Sequence, residues 1–294
     1  GERGRTRGGL RVRLTAVGTS GSVPAPGSAA SCYLLRTTCG EGEGAGDGGV
    51  DGEHRAVLDL GSGALGPLQQ HLSPHELDAV LLSHLHPDHC ADVSPLHIWV
   101  RYHPVAGTVL REAEGLPIER IALYGPRGSL RHLGTVLAQP GPTGEVDPQA
   151  KGEDLARTFR EEPWQEGRAV RIGPLTVTPL RVSHAGQAYG LRIEQGGRIL
   201  AYTGDSDLCP ALFELADGAD LLLAEATFQE DRDPLRGFHL TGLRAGRLAA
   251  RARVGRLVLT HLPPWTDPDT VRAEAARSYD GPIDLARPGQ NWDI

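Results

Sequence analysis

The chain has 294 residues, a formal net charge of −7, 39% hydrophobic residues and 23% charged residues. This balance is typical of a soluble globular protein, and the length suits one large domain or two small ones. The negative charge does not favour broad binding to polynucleotides, which needs many phosphate contacts from Lys and Arg, but it does not exclude it. The four cysteines form no Cys-x-x-Cys pair, so neither a disulfide framework nor a thiolate metal site is expected.

The composition also predicts where the protein is located and which segments are disordered. No apolar run approaches the length of a membrane span, and the Arg- and Gly-rich start lacks the apolar core of a signal peptide, so we predict a cytoplasmic protein that makes no membrane contact. Residues 1–9 are predicted to form a disordered tail and residues 10–294 a single domain. Residues 40–53 are almost entirely Gly, Glu and Asp, which predicts a flexible, exposed acidic loop.

Short apolar or alternating runs along the chain predict strands, with Gly- or Pro-containing turns between them. The predicted strands lie near 10–14, 31–35, 56–60, 79–82, 120–124, 170–172, 175–178, 191–193, 199–202, 221–223 and 257–259, with a turn at 18–24. Helices are predicted at 64–71, 95–102, 130–138, 210–216 and 242–253, the last capped by Thr241. No linker divides the chain, which indicates one domain of two packed sheets flanked by helices.

The densest group of metal-ligand side chains is His-Leu-His-Pro-Asp-His at residues 84–89, directly after the predicted strand at 79–82. Imidazole and carboxylate groups suit Zn²⁺, and also Mn²⁺ or Fe²⁺, rather than thiolate chemistry. The alternative is a polar loop whose histidines only face solvent, and three histidines and an aspartate in six residues weigh against it. We therefore predict a metal site at the end of this strand.

Further ligand-type residues follow other predicted strands. His184 comes after an apolar run at 180–182, Asp205 after the strand at 199–202, and His261 after the strand at 257–259. Each alone is more simply a surface or core residue, but their common position at strand ends joins them to the first group. Asp59 also ends a strand, either as a carboxylate that caps the loop or as an acceptor that orients a ligating imidazole.

Together these residues resemble the metallo-β-lactamase superfamily over nearly the whole chain. The resemblance implies an α/β fold, the αβ/βα four-layer sandwich of two mixed sheets flanked by helices, with two metal ions at the edge of the sheets. The implied ligand sets are His84, His86 and His184 for one ion and Asp88, His89 and His261 for the other, with Asp205 bridging them. The absence of a Cys ligand departs from the β-lactamases and matches the phosphodiesterase branch.

Two segments narrow this resemblance to the tRNA 3′-processing endonucleases, the RNase Z family. They are Ala-Glu-Ala-Thr-Phe at 224–228 and Phe-His-Leu-Thr at 238–241. The resemblance implies that His239 contacts the scissile phosphate or protonates the leaving oxygen, and that Glu225 fixes its tautomer. That family clamps tRNA with a long basic arm, which we do not find in this sequence, and the acidic segment at 40–53 would repel tRNA.

The chain is more similar still to actinobacterial metallo-β-lactamase-fold proteins that hydrolyse 3′,5′-cyclic AMP, in the segments 18–22, 82–86, 99–104 and 260–266. This likeness implies a two-zinc phosphodiesterase that converts cyclic AMP to 5′-AMP by a metal-bridging hydroxide, with Asp88 as a ligand that also shuttles a proton. The alternatives are an RNase Z-type tRNA endonuclease, a thioester or lactone hydrolase of the same fold, and a non-enzymatic, metal-stabilised nucleotide-binding or scaffold protein.

Four residues are candidate substrate contacts: Thr241, Trp99, Tyr102 and Trp265. The aromatic rings would stack on a base, although packing within the protein is the simpler interpretation. The implied partner is a small nucleotide rather than a polynucleotide. The sequence leaves open the preferred base, the metal loaded and the oligomeric state, including a homodimer.

Overall fold

The structure, a computed structural model, describes residues 12–38, 52–138, 144 and 148–294. The strands are β1 (Val12–Ser20), β2 (Ala29–Ala30), β3 (Cys32–Thr38), β4 (Glu53–Leu58), β5 (Ala79–Leu81), β6 (Ile121–Gly125), β7 (Phe159–Pro163), β8 (Val170–Ile172), β9 (Leu175–Arg181), β10 (Tyr189–Gln195), β11 (Arg198–Tyr202), β12 (Leu221–Glu225), β13 (Leu257–Thr260), β14 (Ile283–Leu285) and β15 (Asn291–Asp293). The α-helices are α1 (Leu65–Leu68), α2 (Pro87–Cys90), α3 (Val93–Tyr102), α4 (Thr108–Ala113), α5 (Ser129–Leu137), α6 (Pro148–Leu155), α7 (Pro210–Ala216), α8 (Gly242–Arg251) and α9 (Pro268–Ala276).

These strands form two mixed sheets. The first has the order β15-β1-β3-β4-β5-β6-β7 with β2 paired to β1, and the second has the order β14-β13-β12-β11-β10-β9-β8. Strands β4 to β7 are parallel to one another in the first sheet, as are β11 to β14 in the second. The carboxyl ends of neighbouring parallel strands lie side by side, so the loops that follow them meet at one edge.

Three hydrophobic layers hold the sheets and helices together. Side chains from both sheets, such as Tyr33 and Leu191, form the layer between them. The other face of the first sheet packs against α1, α3 and α5, with Leu34 and Leu96 in that layer. The outer face of the second sheet packs against α7, α8 and α9. Apolar residues on both faces explain the continuous runs of Val, Leu and Ala in the parallel strands, and the predicted four-layer sandwich is confirmed.

Two predicted boundaries are wrong for reasons visible in the backbone. Strand β1 was expected to end near residue 14 and turn at 18–24, but it continues to Ser20 because β2 lies alongside it. A Cβ at Gly18 would come within 1.9 Å of the Ala30 carbonyl oxygen, so the turn-like glycine serves close strand packing. The predicted helix at 64–71 is helical only at Leu65–Leu68 and continues in tighter turns.

The predicted tail at 1–9 lies outside the described residues, as does most of the predicted loop at 40–53. At the end of that loop the prediction is wrong, because Glu53 already pairs with Thr38 in the first sheet. Among the helices that the structure describes, none has the length and apolar character needed to cross a membrane.

Candidate metal centre

The predicted ligands meet at the edge where the parallel strands end. His84 and His86 follow β5, and α2 carries the next two ligand-type residues, Asp88 and His89. The other three come from the loops after β9, β11 and β13, namely His184, Asp205 and His261. Their imidazole nitrogens and carboxylate oxygens form overlapping groups in which all ligand atoms lie within 4.8 Å of one another. The fold thus brings together all seven residues that the sequence singled out.

One group consists of three histidines. The Nε2 atom of His84 lies 3.0 Å from Nδ1 of His86, and Nε2 of His184 lies 3.2 Å from the same atom. Burial and the neighbouring imidazoles lower the pKa of His84 well below its ordinary value, which keeps the ring neutral and its lone pair available. His86 is the most exposed of the three, so this group faces solvent on one side.

The second group combines two histidines and two aspartates, all buried. Nε2 of His261 lies 3.0 Å from Nε2 of His89 and 3.1 Å from Oδ2 of Asp88. Oδ1 of Asp205 lies 3.2 Å from Nε2 of His89, while its Oδ2 lies 3.9 Å from Nε2 of His84. Asp205 therefore stands between the two groups, as a bridging carboxylate would. Burial raises the pKa of Asp88, but the hydrogen bond from His261 and the neighbouring imidazoles bring it below its ordinary value.

Asp59 is the main support of this second group. It is fully buried, and its Oδ2 accepts hydrogen bonds from His89 Nδ1 at 2.7 Å, the Tyr202 hydroxyl at 2.6 Å and the Ser83 hydroxyl at 2.7 Å. Its Oδ1 accepts one from the Ser83 backbone N–H at 2.7 Å. Because Nδ1 of His89 donates to Asp59, Nε2 carries the lone pair that faces the other ligands. Of the two roles open for Asp59, the structure places it in contact with the imidazole.

The other ring nitrogens are held in the same way. Nδ1 of His184 donates to the carbonyl oxygen of Phe238 at 2.9 Å. Nδ1 of His261 lies 2.8 Å from Oγ1 of Thr227, and the Thr227 hydroxyl donates to the His261 carbonyl oxygen. Such hydrogen bonds fix the tautomer and orientation of a metal-binding imidazole. The sequence analysis did not single out Tyr202, Thr227 or the Phe238 carbonyl.

His239 lies beside the cluster, held by Glu225. Its Nδ1 is 2.8 Å from Glu225 Oε1 and 3.9 Å from Oδ2 of Asp205. Glu225 is itself fixed, because it accepts hydrogen bonds from the backbone N–H groups of Ser206 and Thr227. Burial lowers the pKa of His239, but the Glu225 carboxylate, helped by Asp205, raises it to about 9. The pair therefore favours a charged imidazolium at neutral pH.

Comparison with known proteins decides the family. A sequence model described as "Beta-lactamase superfamily domain" matches residues 54–262. This chain belongs to the beta-lactamase superfamily. An uncharacterized protein of Mycobacterium leprae is 40% identical over 286 residues, which make up 97% of this chain and 89% of that protein. Ribonuclease Z of Myxococcus xanthus is 27% identical over 325 residues, covering 95% of this chain and 96% of the enzyme.

The structural likeness agrees with this assignment. The crystal structure of the metallo-beta-lactamase fold protein YhfI from Bacillus subtilis superposes with a TM-score of 0.76 at 27% identity, and the match covers 97% of this chain and all of YhfI. The predicted family and its RNase Z-like branch are therefore confirmed. None of these relatives is described as acting on cyclic AMP, so the finer likeness stays a prediction.

In this member of the beta-lactamase superfamily, a glycine permits the close approach of a loop to the ligands. A Cβ on Gly21 would lie 2.4 Å from the carbonyl oxygen of His261 and 2.7 Å from its Nδ1. Such distances are too short for a methyl group unless the ligand moves. The neighbouring N–H of Ser22 donates to Oδ2 of Asp88 at 2.8 Å. The Gly21–Ser22 segment directly after β1 thus packs on two ligands of the second group.

The structure does not place Thr241 at the centre in the predicted role. Thr241 is fully buried and caps α8, where its hydroxyl accepts a hydrogen bond from the backbone N–H of Arg244. The same hydroxyl donates to Oε2 of Glu230 at 2.5 Å. The Thr241 hydroxyl is therefore shielded from solvent, and both of its hydrogen bonds are made within the protein. The predicted contact between Thr241 and a substrate is wrong.

The three residues predicted to stack on a base lie outside the ligand cluster: one packs against other rings and two are exposed to solvent. Trp99 stacks on the ring of His75, with ring centroids 5.7 Å apart, and also contacts His103. Tyr102 is 57% exposed at the end of α3, and Trp265 is 62% exposed in the loop after β13. None of these rings contacts a predicted metal ligand among the described residues, so their role with a substrate stays a prediction.

Proposed function

We propose that this chain is a metal-dependent hydrolase that cleaves phosphodiesters, and that its substrate is a 3′,5′-cyclic nucleotide, cyclic AMP, converted to 5′-AMP. The observation that carries the proposal is the position of His239. A histidine hydrogen-bonded to a buried carboxylate stands next to a cluster of seven His and Asp ligands. This arrangement places a proton donor beside a centre suited to holding a phosphoryl group.

The residues present fit two divalent ions. Oδ1 of Asp205 is buried and has no hydrogen-bond partner in the described structure, although a buried carboxylate oxygen without a partner is costly. The proposed ligands are His84, His86 and His184 for one ion, Asp88, His89 and His261 for the other, and Asp205 for both. We propose Zn²⁺, and the same donor set accepts Mn²⁺ or Fe²⁺. When bound, such ions supply Lewis acidity and neutralise charge on a phosphoryl group.

His239 supplies the proton in this proposal. Because Nδ1 is bonded to Glu225, Nε2 is the atom that is free to deliver a proton to the departing ribose O3′. The negative charge of Glu225 stabilises the imidazolium before the transfer and keeps the ring oriented. Asp88, which the Ser22 N–H and His261 hold in place, is the proposed second group for moving a proton.

Two features support a small substrate over a long nucleic acid. Residues 104–168 carry eight Lys or Arg against ten Asp or Glu, so this region has no excess of positive charge for a phosphate backbone. The part of it that the structure describes forms strands β6 and β7 of the first sheet and the helices α4 to α6. In addition, a cleft of about 260 Å³ adjoins His84 and His86.

An RNase Z-type tRNA 3′ endonuclease is the second candidate. The observation in its favour is the full-length match to a relative named ribonuclease Z. The same centre and the same His239–Glu225 pair serve either diester, so the local chemistry does not separate the two substrates. They differ in binding, since a tRNA enzyme requires many phosphate contacts and a steep dependence on salt.

The test compares two substrates on one preparation. The protein is loaded with zinc or manganese and incubated with cyclic AMP or with a precursor tRNA, and 5′-AMP and tRNA fragments are quantified. An Asp205→Ala variant serves as the negative control, and Asp269→Asn, at an exposed carboxylate on α9, serves as the matched control. We expect 5′-AMP from the unmodified protein and from Asp269→Asn but not from Asp205→Ala. Cleavage of tRNA alone would replace the proposal by the second candidate.

A further inference from the structure

A cleft opens beside the exposed edge of the metal centre. His84 and His86 form the wall of the cleft that faces the metal centre. The other walls come from the loop after β6, the start of α5 and the β9–β10 turn. Strands β5 and β6 are parallel neighbours, so the loop with the first ligands and the loop with Pro126 and Arg127 leave the sheet side by side. We call this space the Arg127 cleft.

The Arg127 cleft has one apolar surface. Leu85, Pro126 and Ala185 line it, together with the backbone of Gly186. The β9–β10 turn that supplies Ala185 is held in place, since Arg181 donates to the Gly186 carbonyl oxygen at 3.0 Å. The volume of the cleft, about 260 Å³, is just below the range of roughly 300–1,000 Å³ for small-ligand pockets, which suits one flat ring system rather than a polymer.

Among the described residues, the polar side chains of the cleft have no hydrogen-bond partner. The side chains of Arg127, His132 and Gln187 line it, and among the described residues none of them makes a hydrogen bond or ion pair through its side chain. A guanidinium and an amide donate hydrogen bonds to the ring nitrogens and carbonyl oxygens of bases, and both are planar enough to approach a base edge. Apolar walls together with exposed donors that have no partner among the described residues suit a planar, polar-edged ligand such as a nucleobase.

We propose that the Arg127 cleft binds the base of the nucleotide whose phosphate is held at the metal centre, with Arg127 and Gln187 as the residues that read the base edge. This inference rests on the proposed function, which places the phosphate of the nucleotide at the metal centre. The cleft shares a wall with two proposed ligands, so a nucleotide is long enough to place its phosphate on one side of His86 and its base on the other. Arg127 and Gln187 then determine substrate affinity rather than the chemical step.

The test separates base recognition from the chemistry. Arg127→Ala and Gln187→Ala are assayed with cyclic AMP and with bis(p-nitrophenyl) phosphate, a phosphodiester that has no base. Loss of a hydrogen bond from a charged group corresponds to about a 10- to 100-fold rise in KM for cyclic AMP in Arg127→Ala. The kcat for cyclic AMP and both constants for bis(p-nitrophenyl) phosphate are expected to stay near those of the unmodified protein, since the lost contact is a binding contact.

Two controls address charge and fold. Arg131→Ala removes an exposed arginine four residues along, on α5, that does not line the cleft, and it is expected to leave all constants unchanged. Arg127→Lys keeps the charge but not the planar fork, so KM for cyclic AMP is expected to stay raised. Calorimetric titration with 5′-AMP and with inorganic phosphate gives a readout without turnover: Arg127→Ala should weaken binding of 5′-AMP and leave phosphate binding unaltered.

The outcomes distinguish the two proposals. If the unmodified protein hydrolyses bis(p-nitrophenyl) phosphate but no cyclic nucleotide, the proposed function fails, and the 5′-AMP titration still decides on the cleft. If cyclic AMP is hydrolysed but Arg127→Ala and Gln187→Ala change its KM no more than Arg131→Ala does, the inference is wrong. An equal change for both diesters in Arg127→Ala also overturns it, because that result indicates general electrostatic attraction instead of base recognition.

Discussion

Asp59→Asn is the sharpest perturbation of the metal centre, because it changes one charge without changing the shape. Asn tolerates the left-handed backbone that Asp59 adopts, with φ at 57°. With its oxygen placed at the Oδ2 position, Asn still accepts from His89 and Tyr202, but its NH₂ group then faces the donating N–H of Ser83. The imidazole of His89 loses a charged partner and becomes a weaker base.

The expected effect is a loss of metal affinity that is confined mainly to one ion. Changes to such supporting carboxylates cost about 10- to 100-fold in metal affinity, which is about 1.4 to 2.8 kcal/mol. The charge-neutral Asn variant keeps most hydrogen bonds and should lie near the lower value, whereas Asp59→Ala should lie near the upper one. Since His89 belongs to the second ligand group, the ion held by His84, His86 and His184 should be affected less.

A zinc titration in competition with a chromophoric chelator measures the metal affinity of each variant. Bound metal is counted by mass spectrometry, and folding is checked by circular dichroism. Tyr202→Phe is the matched variant, because it removes one donor to Asp59 and leaves the carboxylate on His89. It should weaken the second ion less than Asp59→Asn does. If folded Asp59→Asn binds both ions as tightly as the unmodified protein, the assigned support of His89 is refuted.

Three further predictions concern the groups around the cluster. Glu225→Gln should lower kcat for cyclic AMP about 10²- to 10⁴-fold with bound metal retained, because His239 loses the carboxylate that holds its proton, and an unchanged kcat would contradict this. Gly21→Ala should lower metal content and Tm because its Cβ would collide with His261, whereas Gly66→Ala, where a Cβ meets nothing within 4 Å, should change neither; equal behaviour of both variants would count against the packing argument. In metal-free protein, the pKa of His239 is raised from 6.5 to about 9, so its stabilising contribution is full below pH 6.5 and is lost as the pH rises through about 9. Denaturant unfolding should show this fall in the unmodified protein and a smaller one in His239→Gln, and equal slopes would contradict it.

The sequence was informative about the ligands because each stands where an apolar run stops. The run at 79–82 followed by His84 shows a buried strand that ends in polar groups, and the same pattern precedes Asp205 and His261. Strand ends gather at one edge in an α/β fold, so residues far apart in sequence were expected to meet. The structure brings them together, with His89 and His261 in contact across 172 positions of sequence.

The supporting contacts were not predictable in this way. The Tyr202 hydroxyl reaches Asp59 from the facing sheet, and nothing in the local pattern of β11 distinguishes it from an ordinary core tyrosine. The Phe238 carbonyl that holds His184 is a backbone group, which has no signature in the sequence. Thr241 shows the opposite error, since a polar residue near the proposed donor was taken for a substrate contact when it caps a helix.

Strands β7 and β15 and helix α9 were not predicted from the sequence, and the structure shows why. Strand β7, Phe-Arg-Glu-Glu-Pro, is polar because it is the edge of its sheet, where charged residues and a proline are tolerated and the hydrophobic signal is weak. Helix α9 did carry a signal, an Asp267 cap followed by proline at the first helical position, that the sequence analysis did not use. Strand β15 is only three residues long and gains its place by pairing with β1.

The end of the β12–β13 pair shows how the fold turns a sheet edge into a ligand site. Glu225 pairs with Thr260 as the last regular contact of the two strands. The residue directly after β13, His261, adopts a left-handed backbone with φ at 59°, an unfavourable conformation for a residue with a side chain. Thr227 stabilises it by bonding both the ring and the carbonyl oxygen of His261. The regular ladder thus ends where Glu225 supports His239 and Thr227 supports His261, so one pair of strands positions both the proposed proton donor and a proposed metal ligand.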